Sequence, residues 1–208
     1  MKKEIYFSVD VEADGPIPGV YSMSSFGIFC AGYRETDTGD DRLVRFNAED
    51  TSKAFYRELK PISDDFVPAA AAVSNLSREQ LITSGADPVK AMKEAKAFVD
   101  KICANVGGRP LMAASPSGFD FTFMHWYFMR YLDEDPFGFS GVVDLRSFVA
   151  GASGRTLTAS TKNRLPKSLR SKRAHTHNAL DDAVEQGETF MNIFAQALLD
   201  NSSLGRRF

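Results

Sequence analysis

The opening segment, KKEIYFSVDVEADGP, alternates and then runs apolar through Ile5, Phe7, Val9 and Val11, which predicts a strand that ends in acid. Gly15, Pro16, Pro18 and Gly19 break it with a turn-rich loop. Val20 to Tyr33 is rich in β-branched, aromatic and small residues, and Arg42 to Phe46 alternates again, so three strands in antiparallel succession are expected. A short helix is expected from Thr51 to Leu59, starting at a hydroxyl cap, and another from Ser77, where Ser77 and Gln80 have capping-box spacing.

Asp87 to Val106 carries the strongest helical period. Asp87 suits the N-cap and Pro88 the first helical position. Met92, Ala95, Phe98, Val99, Ile102 and Cys103 recur at three- and four-residue intervals before Gly107 and Gly108 stop the pattern. A short buried strand from Pro110 then leads into a helix over Phe119 to Leu132, crowded with aromatic residues that belong in a core. Val142 to Leu145 reads as another short strand and Leu180 to Leu199 as a closing amphipathic helix. Strands first, then alternating helices and strands, predict an α/β fold with a sheet of mixed direction and helices packed on it. Residues 1–200 read as one domain and 201–208 as a loose tail.

Composition changes this picture little. Of 208 residues 43% are hydrophobic and 25% charged, an ordinary globular balance, and the net charge of -2 excludes a protein that coats nucleic acid by global electrostatics. Acids interrupt the first apolar stretch and no run approaches the roughly 20 residues of a membrane span, so a cytoplasmic protein without a signal peptide is expected. Cys30 and Cys103 lack the spacing of a zinc site or disulfide framework and are expected as reduced, packed thiols. The neutral total hides a local basic run: Arg155, Lys162, Arg164, Lys167, Arg170, Lys172 and Arg173 occur with no acid among them.

The candidate chemistry is carboxylate. Asp10 and Glu12 are two apart on a strand and project from one face, roughly 6–7 Å apart, an arrangement a divalent cation would relieve. Asp120 follows the Pro110 strand at the start of a helix, flanked by Phe119, Phe121 and Phe123. In HTHNALDDA, His177 and Asp182 would point about 140° apart on a continuous helix, so they converge only if His177 precedes the helix and Asn178 caps it.

This ordered set, DVE, then GFDFTFM, then HNALDD, resembles the DEDDh branch of the DEDD 3′-to-5′ exonucleases over about residues 4 to 198. The resemblance implies a ribonuclease H-like mixed five-stranded sheet with helices on both faces. It implies that Asp10, Glu12, Asp120 and Asp182 hold two magnesium ions, for which manganese would substitute, and that His177 is the general base. The expected activity is release of nucleoside monophosphates from 3′ ends of single-stranded RNA or DNA. A chain standing alone, without a polymerase-tethering tail, leans toward RNA or short oligonucleotides. Family members often form homodimers, an arrangement the residues here do not address. Asp181 is the rival to Asp182 but points about 100° away. His175 and His125 are expected as a surface and a core histidine.

Arg164, Lys167 and Arg170 are expected to meet phosphates, and Phe119 or Tyr21 to stack on a terminal base. Asp144 resembles an acid that commonly follows the second motif without binding metal. Two departures touch substrate preference: Asp14-Gly15 stands where many members have Thr-Gly, and Ser115-Pro116 where many have His-Asn. The competing readings are a non-catalytic nucleic-acid-binding or accessory module and an endonuclease on the same fold. The complete ligand set argues against the first, and the spacing from His177 to Asp182 against the second.

Overall fold

The computed structural model of the chain describes residues 2–36, 41–74 and 76–203. In chain order the elements are β1 (Lys2–Ala13), β2 (Met23–Thr36), β3 (Asp41–Arg45), β4 (Ala54–Glu58), α1 (Pro68–Ala71), α2 (Arg78–Ser84), α3 (Pro88–Val106), β5 (Arg109–Ala114), α4 (Ser117–Leu132), β6 (Val142–Asp144), α5 (Leu145–Ser153) and α6 (Ala179–Ser203). Of the tail expected over 201–208, residues 201–203 close helix α6 and 204–208 lie outside the described residues.

Among the described residues six strands form one mixed sheet, with β1 at its centre. β1 pairs antiparallel with β2 and parallel with β5, and β5 pairs parallel with β6. β3 and β4 follow one another along the far edge of β2, so the sheet is five strand positions wide. Alternation along β1 decides the layering. Ile5, Phe7, Val9 and Val11 pack with α3 and α4 on one face, and Tyr6 packs with α6 on the other. Asp10 and Glu12 share the parity of Tyr6 and therefore lie on the α6 side.

The capped helices follow the sequence. Ser77 accepts from the Gln80 N–H to start α2, and Asp87 from the Lys90 N–H to start α3. In α4 the aromatic residues Phe123, Tyr127 and Phe128 are fully buried, each contributing roughly 2 kcal/mol of apolar burial. The expected helix over Thr51–Leu59 is corrected: one 3-10 turn, Thr51–Lys53, capped by Asp50, gives way to strand β4. The open edge of β2 supplies backbone partners that weak helix propensity cannot match, and Phe55 fits a pleated surface against Phe26 and Phe98. The last apolar strand ends earlier than Leu145, because Asp144 caps α5 by accepting from the Ser147 N–H at 2.7 Å. Its other oxygen accepts from the Ser117 N–H at 2.9 Å and ties the start of α4 to β6.

α6 lies unusually close to the sheet. A Cβ on Gly187 would approach the Ser8 Cβ to 3.0 Å and the Phe29 ring to 2.9 Å. The buried Gln186 amide donates to Ser8 Oγ and Val9 O at 3.1 Å and to Ala113 O at 3.3 Å, satisfying the polar groups that this approach desolvates. Cys30 and Cys103 are free thiols, as expected.

Candidate active site

The carboxylates meet where β1 ends and two helices begin. Asp10 and Glu12 project from β1 toward the first turn of α6, whose Asp182 is 2% exposed, whereas Asp181 points to solvent. Asp10, Glu12 and Asp182 each place a carboxylate oxygen within 4.8 Å of the others. Asp120 enters from the first turn of α4, and its Oδ1 accepts from the Val11 N–H at 3.0 Å. The first turn of a helix favours negative charge, which makes this a workable position for an acid 5% exposed.

Asn178 caps α6 by accepting from the Leu180 and Asp181 N–H groups at 3.0 and 3.2 Å. His177 therefore precedes the helix, as the spacing requires, with a φ of 58° in the left-handed region. That conformation costs about 1–3 kcal/mol and is held by Asp182, whose two oxygens accept from the Thr176 and His177 N–H groups, each at 2.9 Å. One carboxylate thus faces the acidic cluster and fixes the loop that carries the histidine.

His175 is exposed, as expected of a surface histidine, but its Nδ1 lies 3.0 Å from Asp182 Oδ2 and its ring is edge-on to His177 at 4.6 Å. Reading HTH as a single base plus a surface residue missed this second imidazole, although its two-residue spacing from His177 was the available signal. His125 is half-buried, stacked on Phe121 and bonded to Asp135 at 2.6 Å.

The cluster is electrostatically strained. Burial, and then the carboxylates of Asp120, Glu12 and Asp182, hold Asp10 well above the ordinary carboxylate range, with Lys162 pulling the other way. Burial and the charge of Asp182 push Glu12 up to about 7. Burial also pushes Asp120 up to about 7 against the Val11 N–H, which favours the ion. An all-oxygen donor set that resists ionisation by itself fits a hard divalent cation.

A pH dependence follows. Asp120 and Glu12 bind protons more tightly in the folded than in the unfolded chain, so their contribution to stability is fully present below about pH 4 and is lost as pH rises to about 7. For Asp120 the loss is on the order of 4 kcal/mol, or about 10 °C in Tm. In EDTA, Asp120→Asn keeps an acceptor for Val11 and is expected to flatten the fall in Tm between pH 5 and 8. Parallel curves for variant and wild type would refute this origin.

The other predicted contacts divide. Phe119 is 36% exposed at the mouth of α4 and leans on Phe123. Arg164 is exposed and donates to Thr158 O at 3.3 Å, and Lys167 is exposed. Arg170 donates to Leu165 O at 2.6 Å and Asn163 O at 2.9 Å, so its guanidinium braces the segment's own backbone. Arg173 pairs with Glu49 and Glu188. Asp14 is buried and pairs with Arg78, which also reaches Ser63 O. Its Oδ1 accepts from the Ser22 N–H at 2.6 Å. The departure at position 14 thus anchors the loop beyond β1.

No family model matches the chain. It is 36% identical over 188 residues, 90% of each sequence, to the 3′-5′ DNA exonuclease Cap18 of Escherichia coli. Its fold is similar to a full-length 3′-exonuclease crystal structure, with a TM-score of 0.64 at 12% identity, covering 97% of this chain and 62% of that one. It is similar also to the nuclease domain of 3′hExo, a DEDDh family member bound to rAMP, with a TM-score of 0.60 at 13% identity, covering 96% and 92%.

Proposed function

The chain belongs to the DEDDh 3′-to-5′ exonucleases, and from that membership we propose that it removes nucleoside monophosphates stepwise from the 3′ end of single-stranded DNA, using two magnesium ions. The observation that carries the reading is the approach of Asp10, Glu12 and Asp182 within 4.8 Å at the sheet end that also receives Asp120 and the His177 loop. DNA is preferred over RNA because the relative at 36% identity is named a DNA exonuclease, which outweighs the lean toward RNA.

In this reading Asp10, Glu12, Asp120 and Asp182 hold the ions. Bound there, the cations would supply charge stabilisation for the attacking and leaving oxygens of an in-line displacement. His177, exposed on its loop, accepts the proton of the attacking water, a general-base role that an imidazole nitrogen with a free lone pair can fill. The water oxygen bonds to phosphorus, the bond from phosphorus to the 3′ oxygen breaks, and that oxygen takes a proton from solvent. The products are a nucleoside 5′-monophosphate and a strand one residue shorter. Asp182 keeps the left-handed His177 backbone in place through turnover.

The test uses 5′-labelled single-stranded DNA and RNA of one sequence with magnesium, manganese or EDTA. A ladder shortening from the 3′ end, faster on DNA, dependent on the metal and slowed roughly 10²- to 10⁴-fold in His177→Ala, is the expected result. Internal fragments would indicate an endonuclease, and intact substrate in every lane an accessory module.

A further inference from the structure

We propose that Lys162, held by Glu185, is a binding contact for a phosphate of the nucleic-acid strand at this site; the proposal rests on the exonuclease reading above. A cleft of about 550 Å³ opens beside the acids, its lining including Asp10, Asp182 and His175 together with the apolar Leu145, Val149 and Leu165. Among the described residues of the basic run, Lys162 is the one that lines it. Its Nζ lies 2.5 Å from Glu185 Oε2.

Glu185 follows Asp182 by three residues, one helical turn, and is 4% exposed. Glu185 is desolvated while Lys162 is not, and such a pair seldom repays the cost of burying the carboxylate, so stability is a poor account of why the chain places one here. Geometry gives a better account. An ammonium has three donors, and Glu185 takes one of them. The Lys162 side chain keeps 37% of its surface exposed, so its remaining donors are open to solvent in a cleft whose lining joins the acids Asp10 and Asp182 to a second cation, Arg146. Lys162 lines the cleft together with Asp10 and Asp182, which places it beside the acids rather than at the periphery. Arg170 and Arg173, in the same run, are already committed to backbone carbonyls and to Glu49 and Glu188.

The experiment compares wild type, Lys162→Met and Lys162→Arg in two readouts, with thermal unfolding as a folding control. The first is kcat/KM on single-stranded DNA with magnesium, from about 50 to 200 mM salt. The second is equilibrium binding of a fluorescent oligodeoxythymidine with calcium in place of magnesium. The methionine variant is expected to lose roughly ten- to hundredfold in both, as for a charged hydrogen bond. The slope of log affinity against log salt should become shallower by about 0.7, and arginine should restore it. An unchanged slope with unchanged binding overturns the contact, as does an activity loss that only tracks Tm in both variants. Wild-type protein without turnover, but with binding that depends on Lys162, would reject the exonuclease reading and leave the contact standing.

Discussion

Asp10→Asn is expected to lower kcat/KM on single-stranded DNA by roughly a thousandfold or more, about 4 kcal/mol of transition-state stabilisation, while raising Tm in EDTA. Both effects have one cause. Asp10 sits near the end of the central strand β1 among Asp120, Glu12 and Asp182, where burial and three neighbouring carboxylates oppose its ionisation. Asparagine has nearly the same shape and carries no charge, so it relieves the repulsion without leaving a cavity. In the proposed mechanism it also removes the acid that is flanked by the other three. Loss of function with gain of stability is the expected signature of a site whose strain serves its chemistry. Rates with magnesium, and thermal unfolding with and without it, check the pair together. A residual rate within tenfold of wild type, or a lower Tm in EDTA, would remove Asp10 from the role assigned to it.

Much of this site was legible because local signals and tertiary placement agree. The strand under Asp10 and Glu12 is marked by alternation that one buried face demands, and the α6 start is marked by Asn178, whose capping also forces His177 out of the helix. What escaped the sequence depended on partners far along the chain. β4 reads locally as a helix because its reason to be a strand is the free edge of β2. α5 went unnoticed because Asp144 reads as the end of a strand, and its capping role emerges only where Ser117 and Ser147 present their N–H groups. The basic run was visible as composition, yet which of its members face the acids depends on α6: Lys162 meets Glu185, while Arg170 turns inward to Leu165 and Asn163. His175 became a neighbour of Asp182 only through the turn that Asp182 itself holds.

Gly27 is the least legible of these positions and carries the second large prediction. It lies on β2 directly opposite Asp10, and a Cβ there would fall on the Ala179 carbonyl and the Leu180 Cα, both backbone atoms at the start of α6. Flexible side chains could yield to such an atom, but a helix backbone has to move as a body. Gly27→Val is therefore expected to push the first turn of α6 off the sheet and carry Asp182 away from Asp10, taking with it the N–H contacts that hold His177. Overpacking of this kind costs about 3 kcal/mol, or roughly 9 °C in Tm at this chain length. A displacement near 1 Å at the reacting groups lowers the rate by about a hundredfold. Gly151→Ala, in α5, is the matched control, because nothing lies within 4 Å of the added carbon. It is expected to leave the rate unchanged and to hold or slightly raise Tm, since alanine restricts the unfolded chain. Thermal unfolding and the 3′-end ladder assay on the two variants provide the check. A Gly27→Val protein that cleaves at the wild-type rate would show that the close approach of α6 to β2 does not set the position of Asp182.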